Sequence, residues 1–173
     1  MIEKAVSRLR RSGMKRILVL SDSHGNMENM MYAAELVKPD MIIHLGDCIS
    51  DAIRLSENLK DIMFECVPGN CDCTMASAEK ILDIEGTRIL ICHGHTYNVK
   101  RGLLNIELSA REKAVDLALF GHTHRVFYDW TNGVRLFNPG SIGSPGYQIP
   151  PSYGILTIDK GTGTFDMETA YIE

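Results

Sequence analysis

Five short apolar runs in this chain stop at loops that carry carboxylate, amide or imidazole side chains. Residues 16–21 lead into Asp22-Ser23-His24, 41–45 into Gly46-Asp47, and 63–67 into Pro68-Gly69-Asn70. Residues 87–92 lead into His93-Gly94-His95, and 115–120 into Gly121-His122-Thr123-His124. Runs this short and this continuously apolar read as strands buried on both faces. Parallel strands joined by crossovers deliver their loops to one edge, and ligands belong at the carboxyl ends of such strands. Side chains two apart in extended backbone point to the same side, so His122 and His124 can converge. Five of the six histidines lie in these loops; His44 sits inside a run and is left outside the site.

The segments between the runs supply the crossovers. Met27, Met30, Met31, Ala34 and Val37 recur at helical spacing, with the methionines as core filler, and Pro39 ends that helix. Residues 51–60 read as a second helix, with Ile53, Leu55 and Leu59 apolar. Beyond Asp72 the pattern changes. Residues 80–84 and 87–92 form a hairpin about Glu85-Gly86, 103–115 is helical, and 126–130 and 134–138 flank an Asn-Gly turn at Asn132-Gly133. Residues 153–159 and 164–172 make a last hairpin through Lys160-Gly161-Thr162-Gly163. That glycine-rich turn has no following Lys-Ser/Thr and no following helix, which excludes a phosphate loop. The class is therefore α/β, with a parallel half followed by a more antiparallel half. Two sheets packed face to face, each coated by helices, would bury every apolar face; a single mixed sheet is the alternative.

At 173 residues the chain is expected to form one domain over 14–173, preceded by an extension over 1–13. That extension carries Lys4, Arg8, Arg10 and Arg11 against Glu3 and lacks the apolar centre of a signal peptide. No stretch is long enough to span a bilayer, so a cytoplasmic protein without a membrane partner is expected. The formal net charge of -4 argues against general nucleic-acid binding. A phosphorylated small substrate stays compatible with it, because bound cations reverse the local field. The five cysteines are odd in number and lack the paired C-x-x-C spacing of a structural zinc site, which fits reduced thiols. A metal clip of Cys71 and Cys73 is the minor alternative.

The loops together offer Asp22, His24, Asp47, Asn70, His93, His122 and His124. Seven mixed nitrogen and oxygen ligands exceed the needs of one ion and suit two ions sharing a bridging carboxylate. Such a pair, roughly 3.5–4 Å apart, clamps a phosphoryl oxygen and activates a bound water near neutral pH. Imidazole mixed with carboxylate fits manganese, iron or zinc better than magnesium or calcium.

The ordered set D-x-H, G-D, G-N-x-D, H-G-H and G-H-T-H resembles the calcineurin-like metallophosphoesterase superfamily. The compact length and Asn138-Pro139-Gly140-Ser141 resemble its small single-domain phosphodiesterase branch of bacteria and archaea. The resemblance implies a four-layer α/β/β/α sandwich of two mixed sheets covered by helices. It implies Asp22, His24 and His124 on a first metal, Asn70, His93 and His122 on a second, and Asp47 bridging them. The ions expected are divalent, manganese first, with nickel, iron or zinc as alternatives. The activity implied is hydrolysis of a small phosphodiester by in-line attack of a hydroxide bridging the two ions. Asp47, Asn70 and His95 are the residues expected to carry catalysis.

Two positions depart from the pattern. Cys71 stands where many members have a histidine that protonates the leaving group or contacts phosphate, so His95 is the substitute acid. Pro145 is followed by Gly146 rather than a basic residue, which leaves that loop without a phosphate clamp. The alternatives are a phosphomonoesterase or pyrophosphatase, and a protein-interaction scaffold like the small retromer subunit. All seven ligand positions carry competent side chains, which favours the enzyme. Substrate choice is expected to lie in the loops 97–101 and 144–152, and homo-oligomerisation is left open.

Overall fold

The structure, a computed structural model, describes residues 13–172 apart from Asn132, Ser144 and Tyr147. All but the last residue of the basic extension, and the asparagine of the expected Asn-Gly turn, lie outside the described residues. Strand β1 (Met14–Leu20) shows why the first run is uninterrupted. Ile17 and Val19 join the core between two sheets, while Leu18 and Leu20 join the core beneath helices, and all four are fully buried. Alternate side chains leave a strand on opposite faces, so covering both faces demands an apolar residue at every position.

The chain continues through α1 (Met27–Val37), β2 (Met41–His44), α2 (Ile49–Asn58) and β3 (Met63–Cys66). Next come β4 (Glu79–Ile84), β5 (Thr87–Cys92), a short 3-10 turn (His95–Tyr97), α3 (Leu104–Glu112) and β6 (Leu117–Leu119). Two hairpins close it: β7 (Val126–Thr131) with β8 (Val134–Pro139), and β9 (Ser152–Asp159) with β10 (Phe165–Tyr171). The first helix is capped by Asn26, whose side chain accepts from the Asn29 N–H, and stops at Lys38 in the left-handed region. Its Met30 is fully buried, and Met27 and Met31 pack against the same cluster, so the methionines are core residues. No described helix is long and apolar enough to cross a membrane.

The strands form two mixed five-stranded sheets, ordered β10-β9-β1-β2-β3 and β4-β5-β6-β8-β7. One cluster between them joins Ile17, Val19, Ile43, Ile91, Leu119, Phe137 and Leu156. Helices α1 and α2 cover the outside of the first sheet, and α3 covers the outside of the second. The result is the expected four-layer α/β/β/α sandwich.

Local details differ from the sequence reading. Helix α2 starts at Ile49, before the expected 51, and α3 ends at Glu112, before the expected 115. After α3 the chain turns through Ala114 at φ 50, which frees Val115 to enter the core under that helix. The second half is also less antiparallel than expected, because β5, β6 and β8 run parallel in the centre of its sheet. Finally, the last hairpin returns to the first sheet, where β9 pairs with β1.

Register places the site. In the first sheet Leu20, His44 and Cys66 lie side by side at the carboxyl ends of β1, β2 and β3. In the second, Ile91, Leu119 and Phe137 lie side by side near the ends of β5, β6 and β8. The five ligand-bearing loops therefore leave two packed sheets at one edge.

Candidate metal centre

The loops converge as two groups that share one residue. Ligand atoms of Asp22, His24, Asp47 and His124 all lie within 4.8 Å of one another, and so do those of Asp47, His93 and His122. Asn70 completes the second group, with Oδ1 3.2 Å from His93 Nε2. All seven expected ligand residues are thus brought together. His95 stands beside them, its ring centroid 5.5 Å from that of His93 and 6.2 Å from that of His122.

The backbone is bent to achieve this. Asp22, His24, Asp47, His122 and His124 all adopt positive φ, between 45° and 68°. Such conformations cost of order 1–3 kcal/mol each and persist where the surroundings over-determine them. Glycines make room for the bends. A Cβ on Gly69 would sit 2.1 Å from Asp47 Oδ1, and one on Gly121 would sit 1.9 Å from Ser21 Oγ and 2.8 Å from Asp22 Oδ2. Neither position can carry a side chain without moving a carboxylate of the site.

His93, Asp47 and Asp22 are each aimed by a neighbour. His93 is fully buried and its Nδ1 lies 2.8 Å from the Leu45 carbonyl, which can only accept, so Nδ1 carries the proton. In the neutral ring Nε2 then presents a lone pair to Asn70 Oδ1, to Asp47 Oδ1 at 3.4 Å and to Asp22 Oδ1 at 3.9 Å. Lone pairs facing one another at such distances call for a cation between them. Asp47 Oδ1 accepts from the Cys71 N–H at 3.0 Å, and Oδ2 accepts from the Cys71 thiol at 3.4 Å. Asp22 Oδ2 accepts from Ser21 Oγ at 2.5 Å and from the His122 N–H at 3.1 Å. Its other oxygen, Oδ1, is buried and has no hydrogen-bonding partner among the described residues, although His124 Nε2 lies 3.0 Å away. His24 Nε2 and His124 Nε2 face each other at 3.4 Å. An orphaned carboxylate oxygen among converging ring nitrogens is the environment that a divalent cation satisfies. The residues fit the implied group.

The electrostatics agree. Burial raises the Asp22 pKa, but the close approach of the His124 imidazole, followed by His93 and Ser21, outweighs it, and the carboxyl titrates below its ordinary value. Burial, then the charges of His93 and Lys100, push His122 down to about 4. Burial followed by His93 also lowers His95, whose Nδ1 is buried without a hydrogen-bond partner. The Asp47 hydrogen bond, then burial, raises the Cys71 thiol.

Several supporting roles escaped the sequence reading. Asp72 accepts from the N–H groups of Ile49 and Gly69, both at 2.8 Å, and ties the third loop to the start of α2. Asp51, buried on α2, accepts from Ser23 Oγ and from the Gly25 N–H. His44, set aside above, is fully buried; its Nδ1 accepts from the Gly46 N–H and its Nε2 meets Ser23 Oγ. Asn138 donates to the Gly121 carbonyl and to Thr123, and Ser141 donates to the Asp22 carbonyl. The segment Asn138-Pro139-Gly140-Ser141 was visible as a motif, but its bracing of Asp22 depends on a chain separation of 119 residues.

Fold and site together are those of the metallophosphoesterases, and comparison with known proteins agrees. The chain belongs to the calcineurin-like phosphoesterase superfamily, whose domain model matches residues 14–161. It is 34% identical to the probable metallophosphoesterase YsnB of Bacillus subtilis over 151 residues, covering 86% of this chain and 87% of that protein. It is 28% identical to phosphodiesterase MJ0936 of Methanocaldococcus jannaschii, covering 84% of this chain and 94% of that protein. Among solved structures it is similar to a conserved uncharacterized protein of Streptococcus pneumoniae, a predicted phosphoesterase. That likeness has a TM-score of 0.75 at 24% identity and covers 93% of this chain and 91% of the other.

Proposed function

We propose that the chain is a metal-dependent phosphodiesterase with two divalent ions, manganese by preference, acting on a small phosphodiester. One observation carries the reading: two ligand groups meet at a single carboxylate, Asp47, which belongs to both. Asp22, His24 and His124 would hold the first ion, Asn70, His93 and His122 the second, and Asp47 would bridge. When bound, such a pair supplies Lewis acidity toward a phosphoryl oxygen and a water acidified to near neutrality.

The chain's own residues prepare that chemistry. The Leu45 carbonyl fixes the His93 tautomer, and Cys71 holds both oxygens of Asp47. Cys71 offers no imidazolium to a departing alkoxide, so leaving groups that need little protonation suit the site. His95 is the remaining imidazole beside the second group and is proposed to hydrogen-bond the leaving oxygen. The relative MJ0936, named a phosphodiesterase, supports diesters as the substrate class. We assign the catalytic unit to 14–173. The free thiols of Cys48, Cys66, Cys71, Cys73 and Cys92 support a reducing, cytoplasmic setting.

The test is to strip the protein with a chelator, verify the loss by metal analysis, and assay an aryl phosphodiester after adding manganese, nickel, zinc or magnesium. Hydrolysis should vanish on stripping and return most fully with manganese. Full activity in metal-free protein would overturn the proposal.

A further inference from the structure

Beside the ligand loops lies a cleft of about 490 Å³ whose apolar wall includes Val99, Phe120 and Phe127. A cleft of that size falls in the range that holds a drug-sized ligand. It adjoins the site. Thr123, between His122 and His124, lines it, and Val99 packs so closely on Gly94, between His93 and His95, that a Cβ there would lie 2.9 Å from it.

The charged residues lining the cleft are Lys100 and Arg125, both exposed. Neither side chain makes an ion pair among the described residues, although the chain as a whole is acidic, at -4. Two cations with no ion-pair partner among the described residues, against an apolar wall beside the proposed phosphoryl-binding centre, match an arm that is flat, apolar and anionic at its far end.

We infer that Lys100 and Arg125 select phosphodiesters whose arm joins an aromatic group to a second anion, as a nucleotide bearing a further phosphate does. This deepens the phosphodiesterase reading and rests on it. It also supplies the basic contact that the loop at Pro145-Gly146 lacks, from a different part of the chain.

Two substrates separate the possibilities: the nitrophenyl ester of a nucleoside monophosphate, and the same ester with a second phosphate on the sugar. The wild type should prefer the second in kcat/KM. Lys100→Ala and Arg125→Ala should each reduce that preference about fivefold to tenfold, chiefly through KM, as expected for one charge-assisted contact. Lys100→Arg should keep it, and Lys60→Ala, an exposed change two residues beyond α2, should leave it alone. No preference in the wild type, or the same preference in both alanine variants, overturns the inference.

Calorimetric titration of metal-free protein with the nucleoside carrying only the sugar phosphate gives a second readout independent of turnover. Binding weakened in both alanine variants supports the subsite even if neither ester is hydrolysed, in which case the phosphodiesterase reading alone fails. Binding that is undetectable, or equal in wild type and variants, counts against the subsite whatever the activity.

Discussion

At the scale of single residues, the centre depends on side chains that serve two neighbours at once. Asp47 is the clearest case, because it belongs to both ligand groups. Asp47→Ala is expected to lose metal at both positions and turnover by at least about a hundredfold, as when a group acting directly on the reaction is removed. Asn70 touches only the second group, so Asn70→Ala should retain one ion per chain and lose the other. Metal analysis of purified variants decides it: two tightly held ions in Asp47→Ala would refute the bridging role. Cys71 makes a subtler prediction. Its thiol donates to Asp47, a contact that a serine hydroxyl can reproduce and that histidine replaces with a new donor. Cys71→Ser should therefore leave diester hydrolysis within about threefold of wild type, whereas Cys71→His should narrow the gap between aryl diesters and matching monoesters. Parallel kcat/KM measurements on both esters make the comparison.

At the scale of elements, strands supply direction and their neighbours supply aim. Strand positions and the convergence of the loop residues were legible because apolar runs and loop chemistry are both local in sequence. Their braces were not: Ser141 reaches Asp22, and Asp72 reaches the start of α2, only because the chain folds back. His44 shows the same limit, since a histidine inside an apolar run gives no sign that it will hold Gly46 and Ser23. The helix ends were misplaced for a similar reason, because packing rather than propensity fixed where α3 stopped. Away from the site, Lys113 just beyond α3 pairs with Glu79 of β4 at 2.7 Å and donates to the Tyr97 hydroxyl at 2.9 Å. Burial raises the Glu79 pKa, but Lys113 and Tyr97 outweigh it, and the folded value falls below that of a free glutamate. A carboxyl depressed by folding stabilises the native state above its unfolded pKa, and that contribution disappears as pH falls through the lowered folded value. Glu79→Gln should thus be less stable than wild type at neutral pH, by no more than about 1 kcal/mol given its partial exposure, with the difference shrinking in acid. Urea denaturation at several pH values measures it; a difference that grows below the ordinary carboxylate range would contradict the assignment.

At the scale of the whole molecule, the centre lies where two sheets end together. Asp22, His24, Asp47 and Asn70 come from loops of the first sheet, and His93, His122 and His124 from loops of the second. An ion bound there would join the sheets as well as the side chains, so it should stabilise the fold by mass action. Adding manganese to metal-free protein should raise Tm by several degrees, and Asp47→Ala should abolish most of that rise; calorimetric melting with and without the ion is the check. An unchanged Tm at saturating manganese would mean that the groups do not bind it in the folded state. The return of the last hairpin to the first sheet has a different consequence, for the order in which a growing chain can be completed. The last of the seven expected ligand residues, His124, is synthesised well before β9, yet β9 is the neighbour of β1 and the serine at its start, Ser152, donates to the Pro139 carbonyl. A growing chain therefore carries all seven expected ligand residues while the strand that positions the first two is still unpaired along one side. The first sheet closes only when β9 pairs with β1, so the loop that carries Asp22 and His24 leaves a strand held on both sides only once that hairpin has been made.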